Sequence, residues 1–162
     1  MRASLFTIPR PGPGTISTMP RPRGGDWLSD EMTALREAGA DLLVSLLTDL
    51  EASELDLAAE PAAAETAGLR FITFPIQDMG VPSVARYRDL VGRLGQELQA
   101  GSHVVVHCRG GIGRSSLVAV GVLVGEGQSV AEACRVVSAA RGMEVPETVE
   151  QRAWLEAILG EK

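Results

Sequence analysis

Residues 103–120 have the sequence HVVVHCRGGIGRSSLVAV, in which an apolar run leads into a glycine-rich loop and then into a second apolar run. The first run, 103–107, is typical of a buried central strand, and the second, from about Ser115, is typical of a helix. A glycine-rich loop between a strand and a helix N-terminus can turn successive backbone N–H groups toward an anion. This stretch predicts an α/β fold with an anion site at the strand–loop–helix junction.

Strand and helix patterns alternate before this loop. Strand patterns fall at 5–8, 15–18, 41–47 and 70–74, and the first two suggest a short hairpin. Helical patterns fall at 27–38, at 51–67, where Pro61 is expected to restart the helix, and at 84–98. Strands separated by helices and followed by a run of helices predict a mostly parallel central sheet flanked by helices.

The ends of several helices carry capping residues. Asp26 or Ser29 is the N-cap candidate of the first helix, and Ser83 caps the helix at 84–98. After the loop only helical patterns follow. A capping-box pattern, Ser129 with Glu132, precedes a helix at 130–141, and Pro146 is expected to open a last helix that ends at Leu159. The C-terminal third is therefore predicted to be helical.

Length and composition indicate one soluble globular domain. The chain has 162 residues, 45% hydrophobic and 22% charged, which suits a single domain at 1–162. Residues 1–25 are rich in Pro, Gly and Arg and are expected to form the N-terminal hairpin and a loop. A net charge of -6 argues against binding to nucleic acid, and the longest strongly apolar stretch, Leu117–Val124, is too short to span a membrane.

The N-terminus lacks the apolar core of a signal peptide, and two cysteines cannot form a disulfide framework. We therefore expect a cytoplasmic protein with reduced thiols, acting as a monomer. Cys134 lies on the apolar face of its helix and is expected to be a buried packing residue.

The charges are unevenly distributed along the chain. No acidic residue occurs between Glu97 and Glu126, although Arg109 and Arg114 lie there. An apolar strand and helix explain this gap equally well, but an anion site also requires that like charges be absent. Arg114 would offer a planar, bidentate fork to two phosphate oxygens. The same positive surroundings favour the thiolate form of Cys108, which would be a nucleophile under a bound phosphate.

The segment HCRGGIGRS, from His107 to Ser115, resembles the signature loop of the cysteine-dependent protein-tyrosine and dual-specificity phosphatases. It is most similar to the small atypical dual-specificity type, near the kinase-associated phosphatases, and the order of strands and helices over most of the chain is similar too. Ser116 departs from the pattern, because many relatives carry Gly there. The resemblance implies that Cys108 is the nucleophile of a phosphomonoester hydrolase and needs neither metal nor cofactor.

The resemblance also implies roles for the neighbours of Cys108. Arg114 would bind phosphate, Ser115 would hydrogen-bond the departing thiolate, and His107 would orient the loop. Ser115 is equally suited to be a helix N-cap. The remaining loop residues would line the substrate phosphate: Arg109, Gly110, Gly111, Ile112 and Gly113.

A general acid is expected on a loop about thirty residues before the cysteine in this family. Asp78, in the segment FPIQDMGVP at 74–82, fits this position, although Asp before Met-Gly is also ordinary turn chemistry. Gln151, in VPETVEQ at 145–151, resembles a family glutamine that positions the hydrolytic water, and a solvated helical Gln is the alternative. Arg141 is expected to be a helix C-terminal cation, and Arg21 and Arg23 to solubilise a loop.

Two other functions remain open from the sequence. A rhodanese-like sulfurtransferase also presents Cys on an anion loop, but strands would continue to alternate with helices after it. A catalytically inactive phosphoprotein-binding module would be expected to lack Cys108, Arg114 or Asp78, and all three are present. We expect the substrate to be a phosphorylated protein or peptide. Lipid substrates are less favoured, because Arg109 is the only additional cation in the loop.

Overall fold

The computed structural model describes residues 3–160, so the outermost residues of the predicted 1–162 domain lie outside the described part. Five strands form one sheet in the order β1-β2-β5-β3-β4. Their bounds are β1 Phe6–Ile8, β2 Thr15–Met19, β3 Leu42–Ser45, β4 Arg70–Thr73 and β5 His103–His107. β1 and β2 form the antiparallel hairpin, and every other pairing is parallel. The mostly parallel sheet and the central position of β5 are confirmed.

Seven helices flank the sheet within residues 3–160. Their bounds are α1 Leu28–Glu37, α2 Asp49–Glu54, α3 Glu60–Thr66, α4 Val84–Gln99, α5 Arg114–Gly125, α6 Val130–Arg141 and α7 Val149–Leu159. Because only helices follow β5 in the described part of the chain, the predicted helical C-terminal third is confirmed. None of the helices in this part of the chain combines the length and hydropathy needed to cross a membrane.

Three predicted helix boundaries are wrong. Neither Asp26 nor Ser29 caps α1, because a 3-10 turn at Gly25–Trp27 leads directly into it. The helical segment predicted at 51–67 begins two residues earlier, at Asp49, whereas its predicted restart at Pro61 is confirmed, because α3 begins at Glu60 with Pro61 in its first turn. The last helix begins at Val149 rather than at Pro146.

Two threonines account for two of these boundaries. Thr48 forms a capping box with Glu51 at the start of α2. Thr148 forms one with Gln151 at the start of α7, so Pro146 lies in the preceding loop. In each capping box the threonine hydroxyl accepts a hydrogen bond from the backbone N–H three residues on. The side chain of that residue accepts one from the backbone N–H of the threonine.

The sheet is covered on both faces. Val104 and Val106 of β5 pack into a core shared with α4, α5 and α6, whereas Val105 packs on the opposite face with Leu35 and Leu69. Burial on both faces explains why β5 has a continuous apolar sequence rather than an alternating one. It also fixes the end of β5, from which the glycine-rich loop departs.

Helices α4 and α5 approach each other closely at Gly121. A Cβ atom at this position would lie 2.8 Å from Cγ2 of Val91 and against the Tyr87 ring. The Tyr87 hydroxyl donates a hydrogen bond of 2.5 Å to the carbonyl of Leu117, and its pKa is raised by burial. This contact anchors the helix whose first turn carries Arg114 and Ser115.

Candidate active site

The ends of three parallel strands meet at the glycine-rich loop. His107 at the end of β5 is paired with Met19 of β2 on one side and with Ser45 of β3 on the other. The loop 108–113 leaves β5 at this edge and enters α5 at Arg114. Ligand sites of open α/β sheets lie outside the carboxyl ends of the strands, where this loop lies.

Two loop glycines lie closely against neighbouring segments. Gly111 has φ +71, and a Cβ there would lie 2.8 Å from the backbone carbon of Met19. A Cβ at Gly113 would lie 3.0 Å from Oε1 of Gln151. Glycine therefore allows both neighbouring segments to pack directly against the loop.

Arg141, which was expected to be a helix C-terminal cation, binds this loop from α6. Its Nε donates to the carbonyl of Gly111 at 3.0 Å, and its Nη2 donates to that of Gly110 at 3.2 Å. Its guanidinium stacks 4.2 Å above the Phe6 ring. In a trans peptide the N–H points opposite to the carbonyl, so these bonds turn the N–H groups of Gly111 and Ile112 away from Arg141.

Cys108 and Ser115 lie together at the base of the loop. The Cys108 side chain is buried, and its Sγ lies 3.4 Å from Oγ of Ser115, which is also buried. The contact joins the first residue of the loop to the first turn of α5. It therefore brings the predicted nucleophile and its predicted hydroxyl partner together.

Arg114 is buried and connects the loop to two distant segments. Its Nη1 and Nη2 donate to the two carboxylate oxygens of Glu51 at 2.6 and 2.9 Å. Nη1 also donates to the carbonyl of Ile76 at 2.9 Å, and Nη2 to Oδ1 of Asp78 at 3.2 Å. The guanidinium therefore bridges α2, the segment that carries Asp78, and the loop.

The electrostatics of this buried pair favour its charged form. Burial alone would raise the pKa of Glu51, but the hydrogen bonds from Arg114 and Thr48 outweigh it and leave the pKa below the ordinary value. Burial would lower the pKa of Arg114, whereas its bond to Glu51 and the nearby Cys108 raise it. Arg109, about half exposed, adds a second cation 3.7 Å from Glu51.

The segment that carries Asp78 is held by Arg114 of α5 and by Gln151 of α7. Asp78 is exposed, and Met79 beside it adopts a left-handed conformation with φ 62. Gln151, fully buried, donates from Nε2 to the carbonyl of Gly80 at 3.1 Å. Its Oε1 accepts from the N–H of Thr148 at 3.2 Å. The predicted general acid and Gln151 are therefore both adjacent to the loop.

His107 has a buried carboxylate partner. Its Nε2 lies 2.6 Å from Oε2 of Glu60, and both side chains are almost completely buried. Nδ1 faces the carbonyl of Cys108 at 3.3 Å. Glu60 at the start of α3 thus fixes the ring of the residue that precedes Cys108.

The sequence did not indicate the roles of Glu51, Glu60 or Arg141. Glu51 and Glu60 lie in an acidic stretch that is typical of solvated helix faces, and no local spacing connects them to the loop. The Thr48-x-x-Glu51 pattern would have placed Glu51 at a helix start, but not beside Arg114.

Ser116 of α5 and Cys134 of α6 are two further buried residues. The hydroxyl of Ser116 is buried and has no hydrogen-bond partner among the described residues. Cys134 is buried in the core with α4 and α5, as expected. Across residues 3–160, no group of three His, Cys, Asp or Glu side chains is arranged to hold a metal ion.

The chain is similar in sequence to one protein family and in fold to several solved structures. Residues 17–128 match the family model described as "Polymorphic toxin system, DSP-PTPase phosphatase". No curated protein matches the chain significantly. Of the solved structures, kinase associated phosphatase with serine in place of its catalytic-site cysteine aligns over 100% of this chain and 99% of its own, with 17% identity and TM-score 0.86.

Two more solved structures have the same fold. Tk-PTP in its active form aligns over 97% of this chain and 98% of its own, with 27% identity and TM-score 0.77. The human tyrosine phosphatase-like serine/threonine/tyrosine-interacting protein aligns over 88% and 91%, with 20% identity and TM-score 0.67.

Proposed function

This chain belongs to the DSP-PTPase phosphatase family of polymorphic toxin systems, and on that premise we propose that it hydrolyses phosphomonoesters of proteins or peptides through a phosphocysteine on Cys108. The observation that carries the proposal is the hydrogen bond of 3.2 Å between Arg114 and Asp78. It joins the segment of the proposed acid to the loop that begins with Cys108.

In the first step the Cys108 thiolate attacks the substrate phosphorus, and the bond between phosphorus and the leaving oxygen breaks. Asp78 gives its proton to that oxygen as general acid. The phosphoryl group is then bonded to Sγ. Because its Nη1 and Nη2 atoms bind Glu51, Arg114 would hold two phosphoryl oxygens with its Nε–H and with the Nη2 hydrogen that Asp78 accepts in this structure. The loop N–H groups and the N-terminus of α5 would hold the rest.

In the second step Asp78 takes a proton from water, whose oxygen attacks the phosphorus and expels Cys108 as a thiolate. Ser115 would donate its hydroxyl hydrogen to that thiolate, and their distance of 3.4 Å supports this role. Inorganic phosphate leaves, and the enzyme returns to its starting form.

The other predicted residues take supporting roles in this proposal. His107, fixed by Glu60, orients the start of the loop. Gln151 uses one N–H of its amide on Gly80, and we propose that the second N–H positions the hydrolytic water. Arg109, Gly110, Gly111, Ile112 and Gly113 line the phosphate. Cys108 must be reduced to act as a nucleophile, which favours a cytoplasmic location. We propose that residues 1–162 form one phosphatase domain.

The two alternative functions are a sulfurtransferase and an inactive phosphoprotein-binding module. A sulfurtransferase is not favoured, because the part of the chain described after the loop contains only helices. A binding module without activity would retain phosphopeptide affinity and lack turnover, so the activity assay separates it from an enzyme.

The test is hydrolysis of p-nitrophenyl phosphate and of phosphotyrosine peptides. We expect turnover by the wild-type protein and none by Cys108→Ser. Asp78→Asn is expected to lower turnover of the peptides by about 10²- to 10⁴-fold, the usual contribution of a general acid. Undiminished release of phosphate by Cys108→Ser would contradict the proposal, and wild-type rates for Asp78→Asn would reject Asp78 as the acid.

A further inference from the structure

A cleft lies beside the loop, on the face of the sheet covered by α1. Its volume is about 280 Å³. Its floor is formed by Met19 and Leu35, and its polar lining includes Ser4, Arg21, Arg23 and Glu31. The segment from Met19 to Arg23, which follows β2, forms one wall.

This wall is shared with the glycine-rich loop. The backbone N–H of Arg21 donates to the carbonyl of Arg109 at 3.1 Å. Gly111 packs so closely that a Cβ there would lie 2.9 Å from the nitrogen of Pro20. One thickness of backbone therefore separates the cleft from the proposed phosphate site.

The cleft carries an excess of positive charge. Arg23 pairs with Glu31, because its Nε lies 2.9 Å from Oε1 of that carboxylate. Arg21 forms no ion pair with any carboxylate in the described part of the chain, and its Nη1 donates only to the carbonyl of Pro22 at 3.2 Å. Pro22 restricts the backbone of Arg21, and the hydrogen bond from the Arg21 N–H to Arg109 keeps that backbone beside the loop.

We propose that this cleft is an accessory anion subsite, in which Arg21 binds a carboxylate or a second phosphate carried by a peptide substrate. The inference rests on the proposed function. An extended peptide rises about 3.3 Å per residue, so a side chain two or three residues from the phosphorylated residue crosses the shared wall. Its aliphatic stem would contact Met19 and Leu35, and its anionic end would meet Arg21.

A peptide fits the cleft better than an inositol lipid. Glu31 in the lining offsets the charge of Arg23, so the cleft offers one net positive charge, which suits a single carboxylate or phosphate better than a headgroup that carries several phosphates. The loop itself, with Gly110, Gly111 and Ile112, adds no further cation for such a headgroup.

The test compares two phosphotyrosine peptides that differ only in Glu or Gln at the second and third positions on each side. We expect the wild-type protein to have a higher kcat/KM for the Glu peptide. Arg21→Gln should reduce that preference about three- to fivefold, as expected for a partly exposed ion pair. Arg36→Gln, which removes an equal charge at the opposite end of β3, is the matched control and should leave the preference unchanged.

Binding of the same peptides to Cys108→Ser, measured by fluorescence anisotropy, separates the two hypotheses. Absence of turnover by the wild-type protein, with the Glu preference retained in binding to Cys108→Ser, would contradict the proposed function and support the subsite. Turnover with equal kcat/KM for both peptides, or a preference that survives Arg21→Gln, would overturn the subsite. Faster hydrolysis of phosphoinositide vesicles than of the Glu peptide, dependent on Arg21, would overturn the choice of a peptide.

Discussion

Arg114 illustrates how one side chain organises the site at the scale of single residues. Its Nη1 and Nη2 atoms bind both oxygens of Glu51, while their other hydrogens are directed to the carbonyl of Ile76 and the carboxylate of Asp78. A lysine ammonium could not make this planar, bidentate contact. The orientation of the proposed phosphate ligand is therefore determined before a substrate arrives.

Gln151 permits a test of positioning at the same scale. Gln151→Met keeps the volume of the buried side chain but removes the donor to Gly80 and the proposed contact to water. We expect kcat for phosphotyrosine peptides to fall about tenfold or more, with a smaller change in KM, because the acid segment and the water lose their orientation. Steady-state kinetics measures this split.

Thr148→Ala is the control for Gln151. It removes the hydroxyl that caps α7 and leaves the contact between Gln151 and Gly80, so stability should fall by about 1 kcal/mol while kcat changes little. If Thr148→Ala lowers kcat as much as Gln151→Met, Gln151 acts only through the end of the helix.

Sequence alone predicted the residues whose spacing along the chain is fixed by one loop. Cys108, Arg114 and Ser115 fall within eight residues, so a motif identifies them. Glu51 and Glu60 contact Arg114 and His107 only because α2 and α3 pack against the end of the sheet. A contact of that kind has no local signal in the sequence.

At the scale of elements, α6 supports the loop through Arg141. Its guanidinium donates hydrogen bonds to two successive loop carbonyls and stacks on the ring of Phe6 of β1. Two elements distant in sequence therefore contribute to one turn of the loop. The position of α6 along the sheet determines the direction of the loop N–H groups.

Arg141→Gln should weaken phosphate binding. We expect kcat/KM for p-nitrophenyl phosphate to fall about tenfold and inhibition by vanadate to weaken in parallel, because the carbonyls of Gly110 and Gly111 lose a charged donor. Arg141→Lys should recover only part of the loss, since one ammonium cannot bridge both carbonyls as a fork does.

Arg135→Gln is the matched control on the same helix. Arg135 is exposed, so its removal should change neither kinetics nor inhibition. Unaltered vanadate inhibition in Arg141→Gln would show that the loop keeps its geometry without this residue.

Helix boundaries were predictable where a capping residue immediately precedes an apolar face. Ser83 and Ser129 cap α4 and α6 as predicted, each accepting from the N–H three residues on. The restart of the helix at Pro61 was predictable because proline is favoured in the first turn of a helix. The left-handed turn at Asp56, with φ 58, has no such signal in this Ala- and Glu-rich stretch.

At the scale of the whole molecule, several carboxylates are stabilised in their charged form. Hydrogen bonds from the His103 backbone and Arg36 lower the pKa of Asp41, and those from Arg70 and Ser102 lower that of Glu97. Glu51 is the most buried of the three. Its stabilisation is therefore the least reduced by solvent screening.

Stability should decrease as the pH falls into the acid range. A carboxyl whose pKa is lower in the folded state stabilises the fold above its unfolded pKa, and the contribution is lost as the pH falls through the folded value. Burial lowers the pKa of His103, partly opposed by Asp41, so its protonation also favours unfolding. Urea unfolding midpoints measured between about pH 7 and pH 3.5 would follow the decrease.

Glu51→Gln separates the buried pair from the surface carboxylates. The variant should be less stable than the wild type at pH 7, because Arg114 loses its charged partner, and its stability should depend less on pH below about 4.5. If lowering the pH reduces the stability of both proteins equally, Glu51 is not a main contributor to the pH dependence.

The order of the strands explains why Arg21 was interpreted as a solubilising residue. Sequence patterns predict that β2 exists, but not that it pairs in parallel with β5, more than eighty residues later. That pairing brings the segment after Met19 beside the loop after His107. Long-range neighbours in a sheet depend on crossover connections, which no local pattern encodes.

The close contact at Gly121 makes α5 intolerant of sequence change far from the chemistry. Gly121 lies two helical turns beyond Arg114, and any side chain there must displace Tyr87 or Val91. In a library of random single substitutions selected for activity, this position would retain glycine almost exclusively. Gly92 and Gly95, which have open space around them, would accept most residues.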